Sequence, residues 1–399
     1  MTPRRPGPVG GLGQNGPMKL LHTSDWHIGR TFHGHPTLPA LRTVLGALVE
    51  QVRAEGVDVV LVAGDVFDSA VPAGEHFEVL SETLRALRAA GAVVVVTSGN
   101  HDSAARLGFQ SGLLAEGVHI LTRPEQILDP VIVHDAHGPV SIYGIPYLEP
   151  ALHRHRLPEG AARGHDDVLA AVMTQIRADA AERGGRSVVL AHCFAVGVPA
   201  PETEAPRDIT RGGLDYVALE RFDGPDYVAL GHVHGRQRLS ERVHYSGAPL
   251  HFTFGEAGKP RGSWLVELGA EGLVGTRWLD LPIPRPLAEL RGTLAELLAD
   301  EAWEVHREHW VRAIVTDRVR PLDAMVQLQK RFPYCAALDY RPEGRTPTAR
   351  RSYAERVREM PDEAIIDGFL DHVRGAGASP EERVILQEVL AVIDAEPGR

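Results

Sequence analysis

Five short segments of the chain carry side chains of the types that bind divalent metal ions. One segment alone is weak evidence, because aspartate favours turns and a Gly-Asp or Gly-Asn pair is often an ordinary tight turn. Their order and residue types together predict a centre that binds two metals and hydrolyses phosphate esters. The segments are Asp25-Trp26-His27, Gly64-Asp65-Val66-Phe67-Asp68, Gly99-Asn100-His101-Asp102, Ala191-His192 and Gly231-His232-Val233-His234.

Hydrolysis of a phosphate ester by two metals explains these residue types. Two divalent ions roughly 3.5–4 Å apart can share one carboxylate and hold a phosphoryl group for in-line attack by water. Asp65 suits the shared position, because each of its two oxygens can bind a different ion. Neutral ligands add no negative charge beside an anionic phosphate. The predicted neutral ligands are His27, Asn100, His192, His232 and His234.

The predicted ligands are oxygen and imidazole donors, which favours Mn²⁺, Fe²⁺ or Mg²⁺ over a zinc site with thiolate ligands. Cys193 and Cys335 are the two cysteines. They cannot form a disulfide framework, so a reducing cytoplasm is the expected location. No apolar run approaches the roughly 18–20 residues that span a bilayer. We therefore expect no membrane association.

Each segment follows an apolar run that is typical of a buried β-strand. Apolar residues spaced three and four apart between the first three runs predict two helices. This β-α-β-α-β series predicts parallel strands, and the carboxyl ends of parallel strands meet in one crevice. The predicted strands are residues 20–23, 57–63, 93–96, 187–190 and 227–230.

The five segments in this order resemble the motifs of the calcineurin-like metallophosphoesterases, whose fold is an α/β sandwich of two mixed sheets flanked by helices. Within that family, four stretches look like those of SbcD, the family of nuclease subunits of bacterial SbcCD complexes. The resemblance runs from Met18 to roughly residue 280. The four stretches are His22–Gly29, Ala63–Asp68, Ser98–Ser103 and Ala229–His234.

The resemblance implies a role for each site residue. It implies that His101 protonates the leaving oxygen and that Asp68 orients this histidine. It assigns Asp65 to both metals. The other ligands of the first metal would be Asp25, His27 and His234, and those of the second would be Asn100, His192 and His232.

The same resemblance implies a DNA nuclease with two divalent ions, expected to be Mn²⁺. It would act as a double-strand exonuclease and as an endonuclease on single strands and hairpins, in DNA repair, recombination and replication. Its partners would be DNA, an SbcC-like coiled-coil ATPase in a heterotetramer, and a second copy of the chain in a homodimer. One alternative is a phosphoesterase for small nucleotide phosphodiesters or phosphomonoesters. Another is a non-catalytic scaffold, which we would expect to have lost ligands that are all present here.

The chain has 399 residues and a formal net charge of −11. A protein that binds DNA unaided is usually basic, since neutralising phosphates supplies most of the non-specific affinity. The acidity argues against a stand-alone DNA-binding protein, but it is compatible with a nuclease whose metals and partner supply positive charge. The sequence shows no glycine-rich phosphate loop, so we expect any ATP dependence to come from a partner.

The chain is predicted to contain three regions before its C-terminal segment. Residues 1–17 are rich in glycine and proline and predict a disordered extension. Residues 18–281 form the phosphoesterase domain. Residues 282–345 alternate between helix-like and strand-like patterns, which predicts a small α/β domain that caps the nuclease cleft according to the resemblance. Its first segment, residues 287–298, has a helix-like pattern.

Residues 346–399 are predicted to hold a linker and two amphipathic helices. The first helix starts at Asp362, and the second follows a capping box at Ser379. Two short helices without a sheet of their own need a surface to cover their apolar faces. They either fold back on their own domain or dock on a partner helix.

Overall fold

The computed structural model describes residues 16–109, 111–153, 164–197, 216–343 and 361–394. Most of the predicted N-terminal extension and of the predicted linker lies outside these ranges. The chain divides into two compact units, Met1–Pro284 and Arg285–Arg399. Among the helices of the described ranges, none combines the length and the apolarity that a membrane crossing requires.

Six strands form the first sheet of the larger unit. Four of them run parallel, and Gly262–Gly269 pairs antiparallel with Met18–Thr23. The parallel arrangement predicted for the first three strands is therefore confirmed. In spatial order, the strands are Gly272–Asp280, Gly262–Gly269, Met18–Thr23, Val59–Ala63, Val93–Thr97 and Val118–Leu121.

Two helices cover the outer face of this sheet. The helix Leu38–Glu55 ends at Gly56, which adopts a φ of 63°, and the helix Gly74–Ala89 follows the next strand. Both helices share a buried apolar cluster with the sheet. The strands Val59–Ala63 and Val93–Thr97 are wholly buried, because the helices cover one face and the second sheet covers the other. This explains their unbroken apolar sequences.

The second sheet also has six strands and packs against the first through a shared buried cluster. The helix His165–Arg183 covers its outer face. The predicted sandwich of two mixed sheets flanked by helices is therefore confirmed. In spatial order, the strands are Gln237–Arg238, Val243–Tyr245, Tyr227–Gly231, Arg186–His192, Gly138–Gly144 and Val131–Asp135. Shorter elements are the strands Thr31–Phe32, His35–Pro36, Phe194–Val196 and Tyr216–Ala218 and the helices Ala104–Leu107 and Pro150–His153.

The smaller unit contains a parallel sheet of three strands, Leu287–Gly292, Trp310–Val315 and Cys335–Tyr340. Its helices are Leu294–Ala299 and Ala324–Arg331.

The prediction of a helix over residues 287–298 is wrong in its first half, which is a strand. Ala288 and Leu290 are buried while Glu289 and Arg291 are exposed, so the alternation has the period of a strand. The same letters also fit helical spacing over so short a stretch. Thr293 then caps the helix by accepting a hydrogen bond from the Glu296 amide.

Two helices, Asp362–Arg374 and Pro380–Asp394, end the described part of this unit. They contact each other, since Asp367 Oδ1 accepts a hydrogen bond from the Ala378 amide at 2.7 Å. Leu386 and Leu390 of the second helix are half-buried. In contrast, Ile385 is 60% exposed and Val389 is 51% exposed.

Candidate metal centre

The predicted site residues gather where strands of the two sheets end. Three segments follow parallel strands of the first sheet, and two lie at the ends of adjacent parallel strands of the second. The structure brings all of these side chains together, and short distances connect neighbouring members of the set. They are Asp25, His27, Asp65, Asp68, Asn100, His101, His192, His232 and His234.

Glycines immediately before two of the ligands allow the loops to approach this closely. A Cβ atom on Gly99 would lie 2.1 Å from Asp65 Oδ1, and one on Gly231 would lie 1.8 Å from the carbonyl oxygen of Ala63. A larger residue at either position would push the loops apart. The glycines of the Gly-Asn and Gly-His pairs are therefore required by packing between loops.

Four predicted ligands have a left-handed backbone, which residues other than glycine rarely adopt. Their φ angles are 53° at Asp25, 44° at His27, 49° at Asp65 and 104° at His232. Each such residue costs about 1–3 kcal/mol, and such residues cluster at functional sites. Backbone hydrogen bonds hold two loops in this form, from the Asp25 amide to the Gly64 carbonyl at 3.1 Å and from the His27 amide to the Asp65 carbonyl at 2.9 Å.

Asp65 lies at the centre of the cluster. Its Oδ2 atom is 3.3 Å from Nε2 of His192 and 3.6 Å from Nε2 of His27. Its Oδ1 atom accepts a hydrogen bond from the backbone amide of His101 at 2.9 Å. Burial alone would raise the pKa of the Asp65 carboxyl, but the surrounding imidazoles hold it well below its ordinary value. An ionised carboxylate thus faces both groups of donors.

Asn100, His192 and His232 form one group of donors beside Asp65. The Oδ1 atom of Asn100 is 3.0 Å from Nε2 of His192 and 3.1 Å from Nδ1 of His232. The Nδ1 atom of His192 donates to the carbonyl oxygen of Ala63 at 3.0 Å. Since the proton of a neutral ring lies on Nδ1, the lone pair of Nε2 points to the other donors.

This group of donors requires positive charge. The lone pairs of His192 Nε2, Asn100 Oδ1 and Asp65 Oδ2 converge, and they repel one another unless a cation lies among them. A proton can supply the charge: burial disfavours the charged ring, but Asp65 outweighs burial and raises the pKa of His192 to about 9. A divalent metal ion can supply it too, and the oxygen and imidazole donors fit such an ion.

Asp25, His27 and His234 form the other group of donors. The Nε2 atoms of His27 and His234 lie 3.1 Å apart, and one ligand atom from each of the three residues lies within 4.8 Å of the others. Asp25 is fully buried, and it accepts hydrogen bonds from the His232 amide at 3.0 Å and from the Ser24 hydroxyl. Its carboxylate is thereby fixed between the two sheets.

His101 and Asp68 lie at the partly exposed side of the cluster. The Nδ1 atom of His101 donates to the backbone carbonyl of Asp68 at 2.9 Å, which leaves Nε2 as the other ring nitrogen. The Asp68 carboxylate is closer to His27, with Oδ1 at 3.2 Å from His27 Nδ1 and 3.9 Å from His101 Nδ1. Arg30 Nη1 donates to the same oxygen at 3.3 Å. The backbone of Asp68 thus orients His101, whereas its side chain supports His27.

Asp102 is a supporting residue that the sequence motif does not reveal. Its Oδ2 atom accepts hydrogen bonds from the amides of Val66 at 3.0 Å and Gly99 at 2.9 Å, and its Oδ1 atom accepts one from the Phe67 amide at 2.9 Å. Burial and repulsion from Asp65 nevertheless raise the pKa of the Asp102 carboxyl to about 6. One side chain therefore ties the loop of Asp65 to the loop of Asn100.

Glu256 and Arg261 support His234, and sequence reasoning missed both. The Oε1 atom of Glu256 is 3.7 Å from Nδ1 of His234, and its Oε2 atom accepts a hydrogen bond from Arg261 Nη2 at 2.6 Å. Arg261 also donates to the backbone carbonyl of His234. Burial would raise the pKa of the Glu256 carboxyl, but His234 and Arg261 bring it down to about 2. No spacing rule in the sequence connects these residues.

His22 connects the two sheets beneath the site. Its Nδ1 atom is 2.9 Å from the Tyr227 hydroxyl, and its Nε2 atom is 3.1 Å from the carbonyl oxygen of Leu230. Burial, with the charge of His244, lowers the pKa of His22 to about 3. The ring is therefore neutral and can donate to the carbonyl while accepting from the hydroxyl.

Comparison with known proteins agrees with the fold and the donor groups. Residues 18–236 match the family model of the calcineurin-like phosphoesterases. Residues 283–374 match a model described as the type 5 capsule protein repressor C-terminal domain. The chain belongs to the calcineurin-like phosphoesterase family.

Curated relatives place the chain more narrowly within that family. The SbcD subunit of nuclease SbcCD from Escherichia coli K12 is 31% identical over 309 residues, which cover 72% of this chain and 74% of the relative. The protein of the same name from Staphylococcus saprophyticus is 24% identical over 385 residues, or 96% of this chain and 100% of the relative. Among solved structures, a dimetal phosphatase from Danio rerio aligns with 67% of this chain and 100% of its own length, at 13% identity and a TM-score of 0.37. Within its family, the chain thus falls in the SbcD group.

Proposed function

We propose that this chain is a DNA nuclease that hydrolyses phosphodiester bonds with two Mn²⁺ ions. It acts as an exonuclease on duplex ends and as an endonuclease on single strands and hairpins, in DNA repair and recombination. It works as a homodimer in a complex with an SbcC-like coiled-coil ATPase. The names of the relatives, which are nuclease subunits, support this proposal.

The observation that carries the proposal is the position of one carboxylate between two groups of donors. Asp65 Oδ2 lies within 3.6 Å of a ring nitrogen from each group, His27 Nε2 and His192 Nε2. A shared carboxylate is the feature that allows two ions to act on one phosphate. A single-metal site would need no carboxylate in this position.

Each proposed role is assigned to a side chain of this chain. When bound, the two ions would neutralise charge on the phosphodiester and promote deprotonation of water. His101, held at Nδ1 by the Asp68 carbonyl, carries a proton on Nε2 and donates it to the leaving oxygen. The proposed ligands are Asp25, His27, Asp65 and His234 for one ion, and Asp65, Asn100, His192 and His232 for the other.

The C-terminal helices are the proposed contact with the ATPase. Ile385 and Val389 lie one helical turn apart, and each is more than half exposed. A fully buried side chain of this type contributes about 1.5–3 kcal/mol, so the pair is costly to leave in water. Docking on a coiled coil covers such a stripe.

The proposed activity is tested by comparing two substrates. The purified protein is assayed with Mn²⁺ on a DNA hairpin and on a small chromogenic phosphodiester. A nuclease should cleave the hairpin with a much higher kcat/KM, because only DNA offers contacts beyond the metal centre. Equal or better hydrolysis of the small diester would support the alternative, a phosphoesterase for small nucleotides. Replacing Mn²⁺ by Mg²⁺ or Zn²⁺ in the same assay tests the proposed metal.

A further inference from the structure

Two arginines shortly after the last proposed metal ligand lie at an edge of the second sheet. Arg236 and Arg238 are two and four residues beyond His234, and both side chains are exposed. The strand Gln237–Arg238 is the outermost strand of that sheet. These arginines have no part in the metal centre as described.

Two tryptophans of the first sheet support both guanidinium groups. The Cζ atom of Arg236 is 4.9 Å from the ring centroid of Trp278 and 5.8 Å from that of Trp264, and the Cζ atom of Arg238 is 6.0 Å from that of Trp264. The indole rings pack edge to face at 5.1 Å, and the Trp264 N–H donates to the Tyr245 carbonyl at 3.0 Å. Cation–π contacts with fixed rings restrict where the arginines can point. We call Arg236, Arg238, Trp264 and Trp278 the arginine strip.

The strip begins at the edge of the sheet that carries the metal ligands. Gln237 pairs with the last residue of the strand Val243–Tyr245, which runs parallel to Tyr227–Gly231. The next residue, Ser246, has its Oγ atom 2.8 Å from that of Ser24, directly before a proposed ligand. Because the carboxyl ends of these strands share one edge, Arg236 lies on the side of the metal centre.

The positive charge of the strip is not neutralised by its surroundings. Neither guanidinium group forms an ion pair with a carboxylate in the described part of the chain. Arg277, the neighbour of Trp278 in sequence, provides a contrast, since it pairs with Glu55 at 2.6 Å. The carboxylate of Asp280 accepts the Trp278 N–H at 2.9 Å. In a chain with a net charge of −11, two oriented and unpaired arginines form a local site for an anion.

We propose that the arginine strip binds the phosphate backbone of DNA beside the metal centre. This rests on the proposed function, in which DNA is the substrate, and it adds where this chain holds that substrate. A guanidinium group matches the oxygens of a phosphate with two parallel hydrogen bonds. Contacts to phosphates carry no base sequence information, so the strip contributes to affinity for DNA of any sequence.

The test compares three double variants of the full chain on two substrates. R236A/R238A removes the charges, and R236K/R238K keeps them, which preserves the fold if the alanine variant is unstable. R53A/R85A is the matched control, because it removes two exposed arginines from helices that lead into the opposite ends of the strands. For each protein, kcat/KM with Mn²⁺ is measured on a DNA duplex and on a small chromogenic phosphodiester over a range of KCl concentrations.

We expect R236A/R238A to hydrolyse the small diester like the wild type and to lose kcat/KM on DNA. The slope of log kcat/KM against log salt should become shallower by about 1.8, from two phosphate contacts at roughly 0.9 each. Between about 50 and 200 mM KCl, that difference changes the ratio of wild-type to variant kcat/KM by about 12-fold. R236K/R238K and R53A/R85A should keep the wild-type slope.

Two results would overturn the strip as a DNA contact. One is an unchanged salt slope in R236A/R238A, and the other is an equal loss on both substrates, which would mean that the strip only supports the loop of His234. Failure of the proposed function looks different, because the wild type itself would then hydrolyse the small diester and leave DNA intact.

Discussion

Replacing Glu256 by glutamine should destabilise the fold and weaken one metal site together. The Glu256 and Arg261 side chains are only 11% and 1% exposed, and the change leaves the buried guanidinium group without its counter-charge. Removing one partner of a buried ion pair typically costs about 3–5 kcal/mol. We expect the free energy of unfolding of Glu256→Gln, measured with urea in the absence of metal, to fall by that amount.

The same substitution should reduce metal affinity through His234. Glu256 is the carboxylate next to Nδ1 of that ring, and losing a partner of this kind typically weakens metal binding about 10–100-fold. Saturating Mn²⁺ stabilises the wild type, and the variant should gain about 1.4–2.7 kcal/mol less at equal ion concentration. Urea unfolding with and without Mn²⁺ measures both effects on one protein.

Glu55 provides the matched control, because its ion pair with Arg277 has the same length, 2.6 Å, but is exposed. Surface pairs contribute about 0–1 kcal/mol, so Glu55→Gln should change stability little and leave the gain from Mn²⁺ intact. Equal costs for the two substitutions would refute the importance of burial. A destabilised Glu256→Gln with a normal gain from Mn²⁺ would refute the link to His234.

Three further changes test the proposed roles. Asp65→Asn should lose both Mn²⁺ ions in elemental analysis and lose hydrolysis, because the charge between the donor groups is removed; retained two-ion binding would contradict the shared carboxylate. His101→Gln should keep two ions and lose about 10²–10⁴-fold in kcat, with partial recovery on a leaving group that needs no proton. Loss of an ion would make His101 a ligand instead. Ile385→Glu with Val389→Glu should keep hydrolysis and abolish co-purification with an SbcC-like ATPase; unchanged co-purification would place the contact elsewhere.

The strand ends and the residues that follow them could be predicted from sequence, because the signal is local. Val59–Ala63 and Val93–Thr97 are unbroken apolar runs, and Asp65 and Asn100 come directly after the turns that end them. In parallel strands, residues at such positions must meet at one edge. The sequence pattern therefore contains both the ligand types and the reason for their convergence.

The supporting residues could not be predicted, because their roles depend on distances between loops. Glu256 reaches His234 from a loop 22 residues further along the chain, and no helical or strand period relates the two. The acceptor role of Asp102 exists only because Val66 and Phe67 lie beside it in the fold. The strand Leu287–Gly292 was ambiguous for another reason: six residues are too few to separate the two periods, and its parallel neighbour Trp310–Val315 decides the outcome.

The left-handed ligands explain why so much of the supporting structure lies outside the donor set. Four such residues at about 1–3 kcal/mol each hold strain comparable to the net stability of a typical domain, about 5–15 kcal/mol. Bonds around the loops must offset that strain. Asp102 contributes three hydrogen bonds to two ligand loops, and Arg261 donates to the backbone of His234. Because these bonds do not involve the metals, they position the donors before any ion binds. The ions then relieve repulsion between lone pairs, which increases their affinity for a site that is already formed.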